Sequence, residues 1–195
     1  MAYNSTSWTT DGSTTGVSVG NYSLYAYFGI GNGISANWAA NTHIALPFMG
    51  YPQSSALADN PSLGTSTDPA TSLTTADGAA TDASLFVACM WYVPDNIVID
   101  GVYSIEGADE ATGDTTRMHL MSYTFTSGST SCLTNGSVLA NNSDVTNAGS
   151  EQAYLSTWTI NNNTVDAGKV ILATFRNDSN NSDYSVNIAV KYHLV

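Results

Sequence analysis

The side chains best suited to chemistry in this 195-residue chain are three histidines, two cysteines and a few closely spaced carboxylates. His43, His119 and His193 are general-base candidates by type, but none has a nucleophile at a recognisable local spacing. Gly33-Ile34-Ser35-Ala36-Asn37 lacks the second glycine of a nucleophile elbow. Cys89 and Cys132 lie on separate segments, match no metal or redox spacing, and read as packed thiols. The run from Glu106 through Asp109 and Glu110 to Asp114 gathers four carboxylates, the hard oxygen ligands calcium prefers. Its spacing is not that of a calcium loop, so it reads as a solvated acidic loop. Most other acids neighbour Gly, Asn or Pro in turns, where Asp serves the backbone. The expectation is a non-enzymatic protein: no catalytic residue, no cofactor and no metal ligand.

Composition says what kind of element must hold these residues. Charged side chains make up 10% of the chain against about 25% in an average domain, while hydrophobic residues are near normal at 43%. Solubility therefore rests on 24 Ser, 24 Thr and 18 Asn, which suit strands and turns and disfavour helices. Four cations against 16 acids give a net charge of −12. That balance argues against nucleic acid and against anionic membrane surfaces, both of which draw affinity from clustered Lys and Arg. No apolar run approaches the length of a membrane span, and no signal peptide is expected after Met1-Ala2-Tyr3.

The first forty-two residues differ from the rest and read as an extended N-terminal arm, residues 1–42. Its first half is Ser, Thr, Gly and Asn around Trp8; its second half is dense in aromatics, with Tyr22, Tyr25, Tyr27, Phe28 and Trp38. A disordered tail rarely carries so many rings, so this stretch is expected to be an arm or an early strand that packs on its own body or on a neighbour. From 43 to 195 the pattern is that of one domain. Eight strands are expected, at 43–50, 84–93, 97–106, 116–126, 132–140, 152–160, 169–176 and 185–194, separated by Asn-, Asp-, Gly- and Pro-rich turns. The fifth holds Asn135-Gly136, which also permits a tight hairpin. A long Ser/Thr/Ala/Asp excursion, residues 51–83, follows the first strand and is expected to be an interaction element. The second strand, Ser84 to Val93, is apolar on both faces and therefore central, covered by the excursion, or in contact with a partner. Trp91 and Trp158 read as core.

The clearest element is the last. Val186, Ile188, Val190, Tyr192 and Leu194 alternate with Ser185, Asn187, Ala189, Lys191 and His193, the period of a half-buried strand. Eight strands, a long loop after the first and a chain ending in a strand fit an antiparallel double-sheet jelly-roll β-sandwich. The segment from Ala167 to Val195 resembles the closing hairpin of small jelly-roll proteins of tailed-phage particles, and Asp82 to Gly107 resembles their interior strand pair. The relevant families are capsid decoration (cement) proteins and, more distantly, fibre modules. The resemblance covers roughly residues 84 to 195 and carries over no binding residue. It implies a bacteriophage virion protein that stabilises contacts between capsid subunits. The partners would be the major capsid protein or other virion proteins, with a homotrimer favoured, and the location would be the virion. The alternative is a fibre or receptor-binding module that recognises host glycan. The partner-contact candidates are Trp8, Tyr22, Tyr25, Tyr27, Phe28, Trp38 and Tyr51.

Overall fold

A computed structural model describes residues 2–4, 7–9, 17–18, 23–30, 39–48, 61–73, 87–109, 112–149, 151–179 and 183–195. It is nearly all β. Strands β1 (Ala2–Asn4), β2 (Ser7–Thr9) and β3 (Val17–Ser18) form a small antiparallel sheet of their own. The body is two antiparallel sheets packed together. One takes the order β4 (Leu24–Ile30), β15 (Asp183–Leu194), β7 (Ile97–Asp109), β11 (Gln152–Thr157). The other takes the order β5 (Ile44–Ala45), β14 (Lys169–Asn177), β8 (Thr115–Phe125), β9 (Leu133–Asn141). Two-residue strands extend the edges: β6 (Trp91–Tyr92) on β14, β10 (Val145–Thr146) on β8, β12 (Thr159–Ile160) on β9 and β13 (Thr164–Val165) on β7.

The pairing among the eight principal strands is nested. In chain order the first pairs with the last, β4 with β15, and the second with the seventh, β5 with β14. The third pairs with the sixth, β7 with β11, and the fourth with the fifth, β8 with β9. Successive pairs alternate between the two sheets.

The alternation expected of the terminal strand appears as burial. Val186, Ile188 and Val190 are sealed between the sheets with Phe28, Val102, Leu120, Trp158 and Phe175. Tyr192 packs its ring against Trp91, with centroids 4.9 Å apart, while Leu194 runs past the sandwich end and is 53% exposed. Asp100 and Gly101 form a bulge opposite Lys191, which absorbs the one residue by which β7 exceeds β15. Asn135-Gly136 is a second bulge inside a continuous β9 rather than a hairpin, with Asn135 at φ 52°. A Cβ at Gly136 would sit 2.6 Å from the Tyr123 ring and 2.8 Å from the Thr71 Cα, so only glycine fits there.

Burial on β14 is unbroken from Val170 to Phe175 because its sheet is covered on both sides. The outer cover is a strap, residues 61–73. Leu63 and Leu73 pack on Met121, Tyr123, Leu133, Val170 and Leu172. The strap is held by Leu63 N–H to the His43 carbonyl (2.7 Å), His43 N–H to the Gly64 carbonyl (2.9 Å) and Gly136 N–H to the Thr71 carbonyl (2.7 Å). Tyr123 Oη–H donates to the Ala70 carbonyl (2.7 Å). This central part of the expected 51–83 excursion is thus a packing element; residues 51–60 and 74–83 lie outside the described residues.

Two expectations are corrected. Residues 24–30 fall inside the expected 1–42 arm but form the early strand that was its alternative, an edge strand of the sandwich paired along its whole length with β15 from Val186 to Tyr192. Of the expected strand at 84–93, only Trp91–Tyr92 pairs; Val87 is 71% exposed and Cys89 is buried, its Sγ 3.8 Å from the Ala45 carbonyl. Its two-sided apolarity reflects a segment that tucks residues inward one at a time. Residues 84–86 lie outside the described residues.

Candidate interaction face

The two sheets differ in what covers their outer faces. The sheet of β5, β14, β8 and β9 lies under the strap; the sheet of β4, β15, β7 and β11 carries a row-by-row apolar outer face. Strand register places Leu155, Ile105, Asn187 and Gly29 side by side across all four strands. The next row is Thr157, Tyr103, Ala189 and Tyr27, and beyond it lie Gly101, Lys191 and Tyr25. Leu155 is 75% exposed, Ile105 55%, Tyr25 49%, Tyr27 44% and Tyr103 39%.

Local sequence explains the shape. Tyr103 lies down over Gly101, whose absent side chain leaves room for the phenol: a Cβ there would be 2.8 Å from the Tyr103 hydroxyl oxygen. Tyr25 and Tyr27 point the same way from alternate positions of β4 and stack at 6.5 Å with an 18° angle between rings. Gly29 lets the edge strand close on β15, since a Cβ would be 2.3 Å from the Val186 carbonyl oxygen. In a chain of 16 acids these rows carry one carboxylate, Asp100, at the margin where it forms the bulge with Gly101 and pairs with His193. The one cation in the rows is Lys191. The exposed parts of the five large side chains come to on the order of 500 Å², at the upper end of the ~300–600 Å² usual for the largest apolar patch on a monomer.

Of the residues expected at a partner contact, Tyr25 and Tyr27 are on this face. Phe28 is not: its alternate position turns it inward, 1% exposed, against Phe48 at 5.1 Å between ring centroids. Trp8 lies in β2, where its backbone pairs with Tyr3 and Val17, and its side chain is outside the described residues. Tyr22, Trp38 and Tyr51 are also outside them. Tyr103, Ile105 and Leu155 were missed by the sequence reading. The available signal was their parity: each sits opposite the inward set of its own strand.

No family model matches this chain. No curated protein matches its sequence at a significant level either.

Two other clusters hold the titratable groups. His43 and His119 are fully buried under the strap, their rings edge-to-face at 5.0 Å. His43 Nε2 is 2.9 Å from the Ser66 carbonyl, and His119 Nε2 is 3.2 Å from Asp68 Oδ1, close enough for an ion pair but poorly aligned as a hydrogen bond. Burial lowers the pKa of both histidines, that of His119 to about 4, with the neighbouring imidazole adding to the effect. The third histidine, His193, pairs its Nδ1 with Asp100 at 2.9 Å.

At the other end of β7, Glu106 is 1% exposed, and the Thr116 hydroxyl stands 2.9 and 2.8 Å from its two oxygens. Burial raises its carboxyl to about 7, partly offset by Thr116. Glu106 is therefore a core residue rather than part of a solvated loop. Among the described residues no three His, Cys, Asp or Glu side chains are grouped to hold a metal ion. Both cysteines are buried and no disulfide joins them.

Proposed function

We propose that this chain is a non-enzymatic structural protein of a tailed-phage virion, a jelly-roll decoration protein that docks on neighbouring subunits through the open face of the β4–β15–β7–β11 sheet. The observation that carries the reading is that face: apolar, with no carboxylate in its first two registered rows, and mounted on a four-stranded sheet. A rigid platform of this kind loses little conformational freedom on binding. The remaining surface is acidic, which keeps copies apart in solution and leaves this face as the region where a partner meets the least like charge. The nested pairing of the eight principal strands supports the jelly-roll assignment, because it is the order that a long antiparallel hairpin adopts when rolled into two sheets.

The patch is smaller than the ~800 Å² per partner of a standard interface, so the five side chains form its centre and neighbouring polar residues its rim. In a symmetric particle each modest contact is repeated, and closed assemblies such as a trimer add copies of the same surface. The test is the composition of intact particles assembled by the genome that encodes the chain. The chain is expected in fixed ratio to the major capsid protein and cross-linked to it; a chain absent from purified particles would remove the reading.

One observation favours a second reading, a fibre module for host glycan: the stacked Tyr25–Tyr27 pair offers exposed rings to a sugar. It requires saturable binding to isolated oligosaccharides, lost in Tyr25→Ala and Tyr27→Ala.

A further inference from the structure

The strap over the second sheet ends in an arrangement that ordinary core packing does not call for. It covers an apolar field of Met121, Tyr123, Leu133, Val170 and Leu172 over part of its length. Beside that field it covers His43 and His119, each with no solvent contact. Nδ1 of both rings has no hydrogen-bond partner among the described residues, and neither does the buried Thr174 hydroxyl, whose residue is paired with His119 across β14 and β8. Charged groups approach the pair from every side. Asp68 comes from the strap, Arg117 from β8 and Arg176 from β14. Arg117 and Arg176 lie directly opposite one another in register, an unfavourable placement for like charges. It is relieved by Asp144 at 2.9 Å from Arg117, and by Asn41, which accepts from Arg176 through its carbonyl (3.1 Å) and side-chain oxygen (2.8 Å). The site thus tolerates two neutral imidazoles. It has one carboxylate, on a residue 63% exposed, to answer two imidazolium charges placed 5.0 Å apart and beside two guanidinium groups.

We propose that residues 61–73 form an acid-released cover: protonation of the His43–His119 pair drives the strap off and exposes the apolar field beneath. The inference is independent of any virion role. Both rings titrate below their unfolded value, so the unfolded or opened segment binds more protons than the closed one. Closure is therefore fully supported above about pH 6.5, the unperturbed histidine value, and support is lost as pH falls toward the folded value. The outward Asp68 moderates the switch by favouring the charged form of His119 while the strap is closed, which shifts release toward lower pH.

Hydrogen–deuterium exchange of the full chain between pH 7.5 and 4.5, corrected for intrinsic rates, tests this. The amides to follow are Leu63, Ala70 and Gly136, which bond to the His43, Leu63 and Thr71 carbonyls. They are expected to exchange on the order of tenfold faster at pH 5 than at pH 7, while the Ile188 and Val190 amides keep their protection. A His43→Gln/His119→Gln double variant is expected to flatten the dependence. Asp68→Asn, a surface change that leaves the fold in place, is expected to move the onset to higher pH. Protection that does not change with pH, or that is lost equally in both sheets, would overturn the proposal. So would an onset that Asp68→Asn leaves unmoved.

Discussion

Glu106 is a carboxylate enclosed between two sheets, with one hydroxyl at hydrogen-bond distance from both of its oxygens. Its folded pKa, near 7, is above the unfolded value of 4.5, so the folded chain holds the proton more tightly between these pH values. Stability from this group is present at low pH and declines as pH rises through about 7. Glu106→Gln keeps an acceptor for Thr116 and removes the charge. It is expected to raise urea stability at pH 8 by roughly 1–3 kcal/mol and to leave it nearly unchanged at pH 5. Equal stability of the two proteins at pH 8 would mean that water reaches the carboxylate. The sequence placed Glu106 in an acidic loop because three carboxylates follow it within eight residues. Its position on the inward parity of β7, two after the buried Ser104, was the contrary signal. Phe28 was similarly misread: its neighbours Tyr27 and Tyr25 are exposed, and only the alternation of β4 separates it from them.

At the scale of elements, most principal strands were legible from sequence, and the exceptions have identifiable causes. β7, β8, β14 and β15 fall within a few residues of their expected bounds because one side of each alternates cleanly or is wholly apolar. The strand expected at 84–93 failed because an apolar run fits a buried strand and a tucked-in coil equally well. β4 was left undecided between arm and early strand because glycine and aromatics hid its period, yet it contributes Ala26 and Phe28 to the core. A chain beginning at residue 41 therefore loses an edge strand as well as the arm. It is expected to melt well below the full chain or to aggregate through the exposed edge of β15, as measured by calorimetry and light scattering. Unchanged melting would show that β4 is dispensable. The bulge in β9 is a second weak point. Gly136→Ala drives a methyl into the Tyr123 ring and the Thr71 backbone and is expected to cost about 1–3 kcal/mol in thermal or urea unfolding.

For the whole molecule, the sequence supported an all-β antiparallel sandwich and an acidic surface. It did not show which face would stay open. Among the described residues the strap covers one sheet and none covers the outer face of the other, and no local pattern in residues 61–73 announces which sheet they choose. The consequence is a molecule with one side closed by its own chain and the other presenting Tyr25, Tyr27, Tyr103, Ile105 and Leu155. The central claim is that this open face is where neighbouring subunits bind. The most direct test replaces two exposed residues far from the core, Ile105→Asp with Leu155→Asp, and measures occupancy on particles that carry the chain. Because both side chains are more than half exposed, the melting temperature is expected to stay within about 2 °C of the parent, since surface changes move stability by about 0.5 kcal/mol or less. Occupancy is expected to fall at least tenfold, since each new carboxylate is buried unpaired at the contact. A folded double variant that loads particles as fully as the parent would contradict the account.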